Sequence, residues 1–323
     1  MGRDILARKL LDGQLQFDPE IEIERISKFI AAEVKRRGVR GAAIGFSGGL
    51  DSTTCACLCA RSLRRSQIHM LSLPERDSSP TIYGHAHAAA QALGLALEEH
   101  ELSDLFERFG LYQGVSPELA ANRPLLERAM GVIRRLSGSP ALFPWAQEYA
   151  FGRRRGLPAW ILRRWLWPYA QKTEIFILGK TRLRMLALTL WAAQLDCLLL
   201  CTTDRSEWSV GFYDPQGDGV GDLAPLRHLY KTQIRELARA LGAADEILRQ
   251  PSSGDLAAGL PNESVIGLPY LQLDRTLAGL ALGMEVAEIA AGAGVSRAMA
   301  RAVSAAVALA EQRRQAPKGL ARP

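Results

Sequence analysis

The residues most suggestive of chemistry are Ser47-Gly48-Gly49-Leu50-Asp51-Ser52. An apolar run of strand length, Ala42-Ala43-Ile44-Gly45-Phe46, comes just before them, and a small-residue helical stretch through Leu63 follows. A glycine turn between a strand and a helix N-terminus is an anion site. The glycines let the backbone approach a ligand, several N–H groups converge on it, and the helix dipole favours negative charge. Ser47, Ser52 and Thr53 add hydroxyl donors, so the chemistry indicated is phosphate binding. It is not the Walker A form, because the four-residue gap and the Gly-Lys-Ser/Thr ending are absent.

The six residues resemble the SGGxDS pyrophosphate loop of ATP-pyrophosphatases. That resemblance implies a loop that grips the β- and γ-phosphates of ATP and leaves the α-phosphorus open to attack, giving pyrophosphate and an adenylated substrate. Further segments, in order, resemble those of NAD synthetases. Leu73-Pro74-Glu75-Arg76-Asp77-Ser78-Ser79 is similar to their MPxRxSS segment, and Lys180-Thr181-Arg182-Leu183-Arg184-Met185 to their K/Q-A-R-x-R-M helix start. Thr202 through Glu207, Gly211-Phe212-Tyr213 and Gly217 through Leu226 resemble the T-x-x-x-x-E, G-Y/F and GDGxxDxxPL run. Lys231 stands at the family's phosphate-binding lysine and Pro251-Ser252-Ser253 at its P-S/T-A turn. Asn262-Glu263, Gly267, Tyr270 and Asp274 follow the DE-x-x-x-G-x-x-Y-x-x-x-D segment, and Glu311-Gln312-Arg313-Arg314 with Pro317 its basic ending. The likeness covers most of residues 20 to 318.

By this resemblance the expected activity is an ATP-dependent amide ligation. The nicotinate carboxylate of deamido-NAD is adenylated, and ammonia then displaces AMP to give NAD. The expected fold is α/β, a doubly wound parallel sheet flanked by helices and adenine nucleotide alpha-hydrolase-like, with a basic helical insertion and a helical C-terminus. ATP and Mg²⁺ are the expected cofactors, and a homodimer is implied. Fewer than 50 residues precede Ser47 and none is a cysteine, so no glutaminase domain is expected there. Ammonia would arrive free or from a separate glutaminase subunit.

Carboxylate attack on ATP needs charge neutralisation around the triphosphate, which Mg²⁺ and lysine supply. Carboxylates are hard oxygen ligands suited to Mg²⁺. Asp51 and Glu207 are the expected metal ligands, Glu207 lying just beyond a strand end, where open parallel sheets bind ligands. Lys231 opens a helix, where the dipole disfavours a cation, so a phosphate partner is expected. The catalytic residues are expected to be Asp51, Lys231 and Asp218. Ser47, Gly48, Gly49, Asp51, Ser52, Thr202, Lys231 and Ser252 are expected around ATP and pyrophosphate. Arg182, Asp218, Asp222 and Glu263 are assigned to deamido-NAD, with Asp218 placed by the resemblance beside the nicotinate ring and the ammonia site.

Other candidates carry less. Cys55 and Cys59 share a helical face as ordinary small packing residues. His85 and His87, two apart on a helix, diverge too far to share a metal. Departures from the family pattern are Leu178 for Asn, Thr181 for Ala, His85 for Asp, Asn262 for Asp and Val265 for an acid. They fall in or near the segments assigned to deamido-NAD, so the runner-up is an adenylating amide ligase acting on a different carboxylate. A tRNA-modifying ATP-pyrophosphatase would bring a paired reactive thiol motif, and no CxxC is present. A non-catalytic binding protein is opposed by Asp51, Glu207 and Lys231.

The elements that must hold these residues read as an alternation. Helices are expected over 21–37, from the phosphate loop through Leu63, over 81–93, 181–194 and 230–241, and over 287–313. Strands are expected over 42–46, 68–73 and 197–201. The alternation pauses between about Ser103 and Lys180, which suggests one domain over 1–323 with an insertion at 104–178 and a helical C-terminal part at 275–315. The chain has 323 residues, 48% apolar and 23% charged, which excludes a wholly disordered chain. The longest apolar stretch, Met185 to Thr203, is interrupted by Gln194 and Asp196 and makes a poor membrane span. No signal peptide is evident, and five cysteines form no disulfide framework, so a cytoplasmic protein is expected. Net charge is +6 and largely local. Between Arg123 and Gln171, nine arginines face two glutamates. Trp145, Trp160, Trp165, Trp167 and Tyr169 lie among them. A solvated surface and an anion site are both compatible with this stretch; nucleic acid is not expected as the partner.

Overall fold

The computed structural model describes residues 2–113, 157–254 and 261–314 with positions 124 and 128; of these, 2–3, 157–174 and 313 are described in backbone alone. Arg123, Arg134, Arg135, Arg153, Arg154 and Arg155 of the basic stretch lie outside the described residues. In chain order the elements are α1 (Gly2–Leu15), α2 (Pro19–Arg37), β1 (Gly41–Gly45), α3 (Leu50–Ser62), β2 (Ile68–Ser72), α4 (Pro80–Leu93), β3 (Leu97–Glu99) and α5 (Ser103–Arg108). They continue with α6 (Leu157–Gln194), β4 (Cys197–Leu200), α7 (Arg205–Val210), α8 (Lys231–Ala240), α9 (Asp245–Arg249), α10 (Asn262–Ile266), α11 (Tyr270–Ala281), α12 (Val286–Ala293) and α13 (Arg297–Arg313).

The four strands form one parallel sheet in the order β3-β2-β1-β4. β1 has no polar residue and its central Ala42, Ala43 and Ile44 are fully buried, as a strand covered on both faces must be. Ala42 and Ile44 pack with α2, α3, α4 and α8. Ala43, on the opposite face, packs with Leu188, Trp191 and Ala192 of α6. The chain winds outward from β1 to β2 and β3, then returns along α6 to place β4 on the other side of β1. The sheet is therefore doubly wound, and its topological switch point lies between the C-terminal ends of β1 and β4. The phosphate loop and the segment from Cys201 leave the sheet side by side there. A second core joins α1 to the C-terminal helices through Leu11, Leu273, Leu277 and Val303.

Three features differ from the sequence expectation. The helix expected to start at Thr181 is the last third of α6, which runs unbroken from Leu157 through the expected insertion boundary at 178. Pro158 sits in its first turn, where the missing N–H costs nothing, and the dense arginines mask the apolar periodicity. The C-terminal helix expected over 287–313 is instead two helices. Gly294 ends α12 in the left-handed conformation at φ 70°, Ser296 caps α13 through the Met299 N–H at 3.1 Å, and the axes differ by 110°. α1 and the three-residue β3 lie outside what the periodicity marked. No single helix among the described residues is long and apolar enough to cross a membrane.

α6 is fastened to the sheet by a buried charge cluster. Lys180 Nζ lies 2.7 Å from Glu75 Oε1 and 2.9 Å from Asp77 Oδ2, and the Lys180 and Glu75 side chains are both 0% exposed. Tyr112 Oη donates to Glu75 Oε2 at 2.7 Å, and the Phe176 ring centroid lies 4.0 Å from Nζ. Burial opposes the Asp77 charge, but Lys180 and Arg76 hold its carboxyl below the usual range. Removing one partner of such a pair leaves an uncompensated buried charge. Lys180→Ala is expected to cost about 3–5 kcal/mol in urea unfolding of the full chain; a cost under about 1 kcal/mol would place this cluster with surface pairs.

Candidate active site

The phosphate loop is braced by its own serines. Gly48 adopts φ 72°, and a Cβ there would stand 2.5 Å from the backbone N of Ala86 in α4, so no side chain fits. The Gly49 N–H donates to Ser47 Oγ at 3.2 Å, and Ser52 Oγ donates to the Gly49 carbonyl at 3.2 Å. Gly49 caps α3 without a side-chain bond, which leaves the helix N-terminus open to an anion. Asp51 and Thr53 lie in the first turn, and Thr53 Oγ1 is buried without a hydrogen-bond partner.

Lys231 opens α8 and stands at the centre of the site, with a side chain only 1% exposed. Its Nζ lies 2.7 Å from Asp51 Oδ2, 2.7 Å from Asp204 Oδ2 and 3.0 Å from Glu207 Oε1. The segments after β1 and β4 thus meet on one ammonium. Burial opposes the Lys231 charge, yet Asp204, Asp51 and Glu207 outweigh it and hold its pKa well above the usual lysine value. Burial, with the neighbouring acids, raises the pKa of Asp204 well above the ordinary range, and burial raises that of Glu207.

Each group is positioned from behind. Asp204 caps α7, its Oδ1 accepting from the Glu207 N–H at 2.8 Å. Its Oδ2 makes the ion pair with Nζ. Asp274 on α11, fully buried, accepts from Ser206 Oγ at 2.5 Å, the Thr232 N–H at 2.9 Å and Thr232 Oγ1 at 2.7 Å. Ser206 Oγ in turn accepts from the Lys231 N–H at 2.9 Å. One carboxylate therefore ties α7 to the N-terminus of α8, and burial pushes its pKa up to about 6. Trp208, next to Glu207, is stacked on Tyr213 with centroids 4.5 Å apart and lies under the Arg227 guanidinium at 3.9 Å.

Three donors converge on Glu207 Oε1: Lys231 Nζ, Tyr270 Oη at 3.1 Å and Asn262 Nδ2 at 3.2 Å. Oε2 has no hydrogen-bond partner among the described residues, and Asp51 Oδ1 is buried without one. Carboxylate oxygens of Asp51, Asp204 and Glu207 lie within 4.8 Å of one another. Hard oxygen donors with unsatisfied lone pairs fit a divalent cation such as Mg²⁺.

The remaining expected residues divide. Ser252 Oγ is buried and unpartnered, as an anion donor would be, and Thr202 is half-buried at the end of β4. Asp218 accepts the Asp214 N–H at 2.7 Å through Oδ1, and the Thr203 hydroxyl donates to its carbonyl at 3.0 Å. It is exposed to solvent in the open loop yet closely ringed by protein. That crowding, and then the Glu207 and Asp214 charges, push its pKa to about 7, a push that solvent moderates. Arg182 forks onto Asp214 at 2.7 and 3.2 Å, which places it beside the Asp218 loop. Asp222 and Glu263 do not join the cluster. Asp222 accepts from Arg37 at 3.0 Å and from the Leu199 N–H of edge strand β4 at 3.0 Å; Glu263 accepts the first N–H of α11, that of Tyr270, at 2.7 Å. Unpaired N–H groups at a sheet edge and a helix start attract carboxylates, which accounts for both bonds. Asp204 was not singled out in the sequence, although an Asp three residues before a Glu is a helix-start signature.

A family model described as NAD synthase matches residues 22–123 and 175–317. The chain is similar to the NH(3)-dependent NAD(+) synthetase of Thermotoga maritima, 30% identical over 255 residues, covering 79% of this chain and 85% of that protein. Against the protein of the same name from Mesorhizobium japonicum it is 30% identical over 303 residues, covering 87% and 89%. In fold it is similar to the solved NMN synthetase from Francisella tularensis, with a TM-score of 0.67 at 18% identity over 94% of this chain and 99% of that one. The NH3-dependent NAD synthetase from Campylobacter jejuni gives a TM-score of 0.64 at 18% identity, over 94% and 100%.

Lys231→Met would leave three carboxylates facing one another around an uncharged side chain. The expected cost is about 3–5 kcal/mol at pH 7.5. The loss should shrink at pH 5.5. Lys231 lowers the pKa of Asp204 and of Glu207, so without it both acids titrate higher still, and the variant takes up more protons on folding than the wild type as pH falls and recovers part of the loss. Urea midpoints of wild type and variant at the two pH values check this; a loss independent of pH would contradict the charge account.

Proposed function

The chain belongs to the NAD synthase family, and we propose that it adenylates the nicotinate carboxylate of deamido-NAD with ATP and amidates it with ammonia. The observation that carries this reading is the ammonium of Lys231 among Asp51, Asp204 and Glu207 at the switch point of the sheet, together with the unsatisfied Asp51 Oδ1, Thr53 Oγ1 and Ser252 Oγ of the segments that follow β1 and α9. Adenylation needs both a cation-holding acid pair and donors for a leaving pyrophosphate, and this site offers both.

In this mechanism the loop backbone at Gly48 and Gly49, with Ser47, Ser52, Thr53 and Ser252, holds the β- and γ-phosphates. Lys231 turns its charge to them as pyrophosphate leaves. Asp51 and Glu207 would hold Mg²⁺ through the oxygens left open, and the bound ion would neutralise the polyphosphate as a Lewis acid. A nicotinate carboxylate oxygen attacks the α-phosphorus, and the bond from phosphorus to the pyrophosphate oxygen breaks. The nitrogen of ammonia then attacks the acyl carbon and AMP departs. Asp218, which the family resemblance puts beside the ammonia site and whose carboxyl is held above the ordinary range, is suited to take the proton that ammonium or the attacking amine must lose. That the similar proteins are NH(3)-dependent NAD(+) synthetases supports ammonia as the nitrogen donor. A homodimer, and the reading of the basic stretch as an insertion, belong to the same proposal; the family match passes over 124–174.

The deciding assay supplies ATP, Mg²⁺, ammonium and deamido-NAD and measures NAD, AMP and pyrophosphate. Equal amounts of the three products are expected. Turnover of nicotinate mononucleotide in place of deamido-NAD would transfer the reading to a different carboxylate. Asp51→Ala is expected to lower pyrophosphate release by at least about 10²-fold, the scale of losing a preorganised charge-stabilising group. Glu207→Gln keeps the size and removes one hard ligand, so the Mg²⁺ half-saturation should rise roughly tenfold or more. An unchanged midpoint would make Glu207 an ordinary cleft carboxylate.

A further inference from the structure

Asn262 opens α10 and is 7% exposed, with both ends of its amide in use. Nδ2 donates to Glu207 Oε1 at 3.2 Å and to Tyr270 Oη at 3.3 Å. Oδ1 accepts from the Gly254 N–H at 3.1 Å, and the Asn262 backbone N–H donates to the Ser252 carbonyl at 2.7 Å. The bond from Gly254 fixes which end of the amide is oxygen, so the nitrogen faces Glu207. On the turn so gripped, Ser252 Oγ is buried without a partner.

We propose that Asn262 is a positioning residue that ties the Ser252 turn to Glu207, setting the hydroxyl offered to pyrophosphate and the carboxylate offered to the cation as one unit. This rests on the pyrophosphate reading of Ser252 given above. The amide is the side chain that can do it at this length, since it must accept from Gly254 and donate to Glu207 at once. An aspartate here keeps the acceptor, loses the donor, and brings carboxylate oxygens about as close as the present 3.2 Å contact. An alanine keeps only the backbone bond to Ser252.

The test is calorimetric titration of the full chain with inorganic pyrophosphate at saturating Mg²⁺. Ser252→Ala and Asn262→Ala are each expected to weaken binding roughly five- to tenfold, the scale of one or two buried hydrogen bonds. If Asn262 acts through Ser252, the double variant should be no weaker than Ser252→Ala by more than about twofold. The KM for the carboxylate substrate should stay within about twofold in Asn262→Ala, which a general loss of structure would not allow. Asn262→Leu keeps roughly the side-chain volume and adds no charge; it should show the same loss, and its melting curve reports folding, so the test survives if the alanine variant fails to fold. Wild-type pyrophosphate binding in Asn262→Ala, or losses that multiply in the double variant, would overturn the coupling. A Ser252→Ala protein that binds pyrophosphate normally would overturn both the coupling and the Ser252 assignment. Failure to form NAD despite the expected binding pattern would fall on the proposed reaction alone.

Discussion

Three carboxylates in one buried pocket cannot stay ionised without a compensating cation, and the Lys231 ammonium is that cation. At about 4 Å and an effective dielectric of 20, each pair of like charges costs about 4 kcal/mol, so the acids would take up protons or move apart without it. The lysine occupies an unfavourable place to do this, the positive end of a helix dipole. Asp274 offsets the disadvantage by accepting the Thr232 N–H beside it and, through Ser206, orienting the Lys231 N–H. The charge that the site uses and the helix that carries it are thus stabilised by separate acids.

The winding of the sheet explains why these groups can meet although the chain separates them by up to 180 residues. Asp51 follows β1 and Asp204 follows β4, and only a chain that reverses direction beside β1 brings those two loops together. α6 makes that reversal possible, lying across the face opposite α3 with Leu188 and Trp191 against Ala43. Its register along the sheet is fixed by Lys180 reaching Glu75 and Asp77 beyond the end of β2. The second buried cluster is therefore part of how the first is assembled, though no atom is shared between them.

Much of this was legible in the sequence because it is local. A strand, two glycines and a helix start are adjacent, and the loop, Lys231 and Glu207 stand where their spacing placed them. What could not be read are contacts over distance. Asp222 and Glu263 each accept a backbone N–H that only the folded chain brings near. Asn262 and Asp274 lie in a segment that the resemblance assigned to the substrate side, whereas their side chains reach Glu207 and the start of α8. The start of α6 was hidden because its first two turns mix tryptophan and arginine without a clear apolar stripe.

The choice of amide over acid at position 262 follows from charge. With Lys231 and its three acids ionised, the cluster carries −2, which one divalent cation cancels. A fourth carboxylate at 262, within hydrogen-bond distance of Glu207 Oε1, would leave −1 beside a leaving pyrophosphate, a repulsion in the wrong place at low dielectric. Asn262 avoids that charge and adds a donor to the oxygen that already accepts from Tyr270 and Lys231. The negative density of Glu207 is then drawn toward Oε1 on the protein side, and Oε2 keeps its lone pairs for the ligand. Position 262 therefore acts on the phosphate side of the reaction, and its departure from the family pattern says little about which carboxylate is amidated.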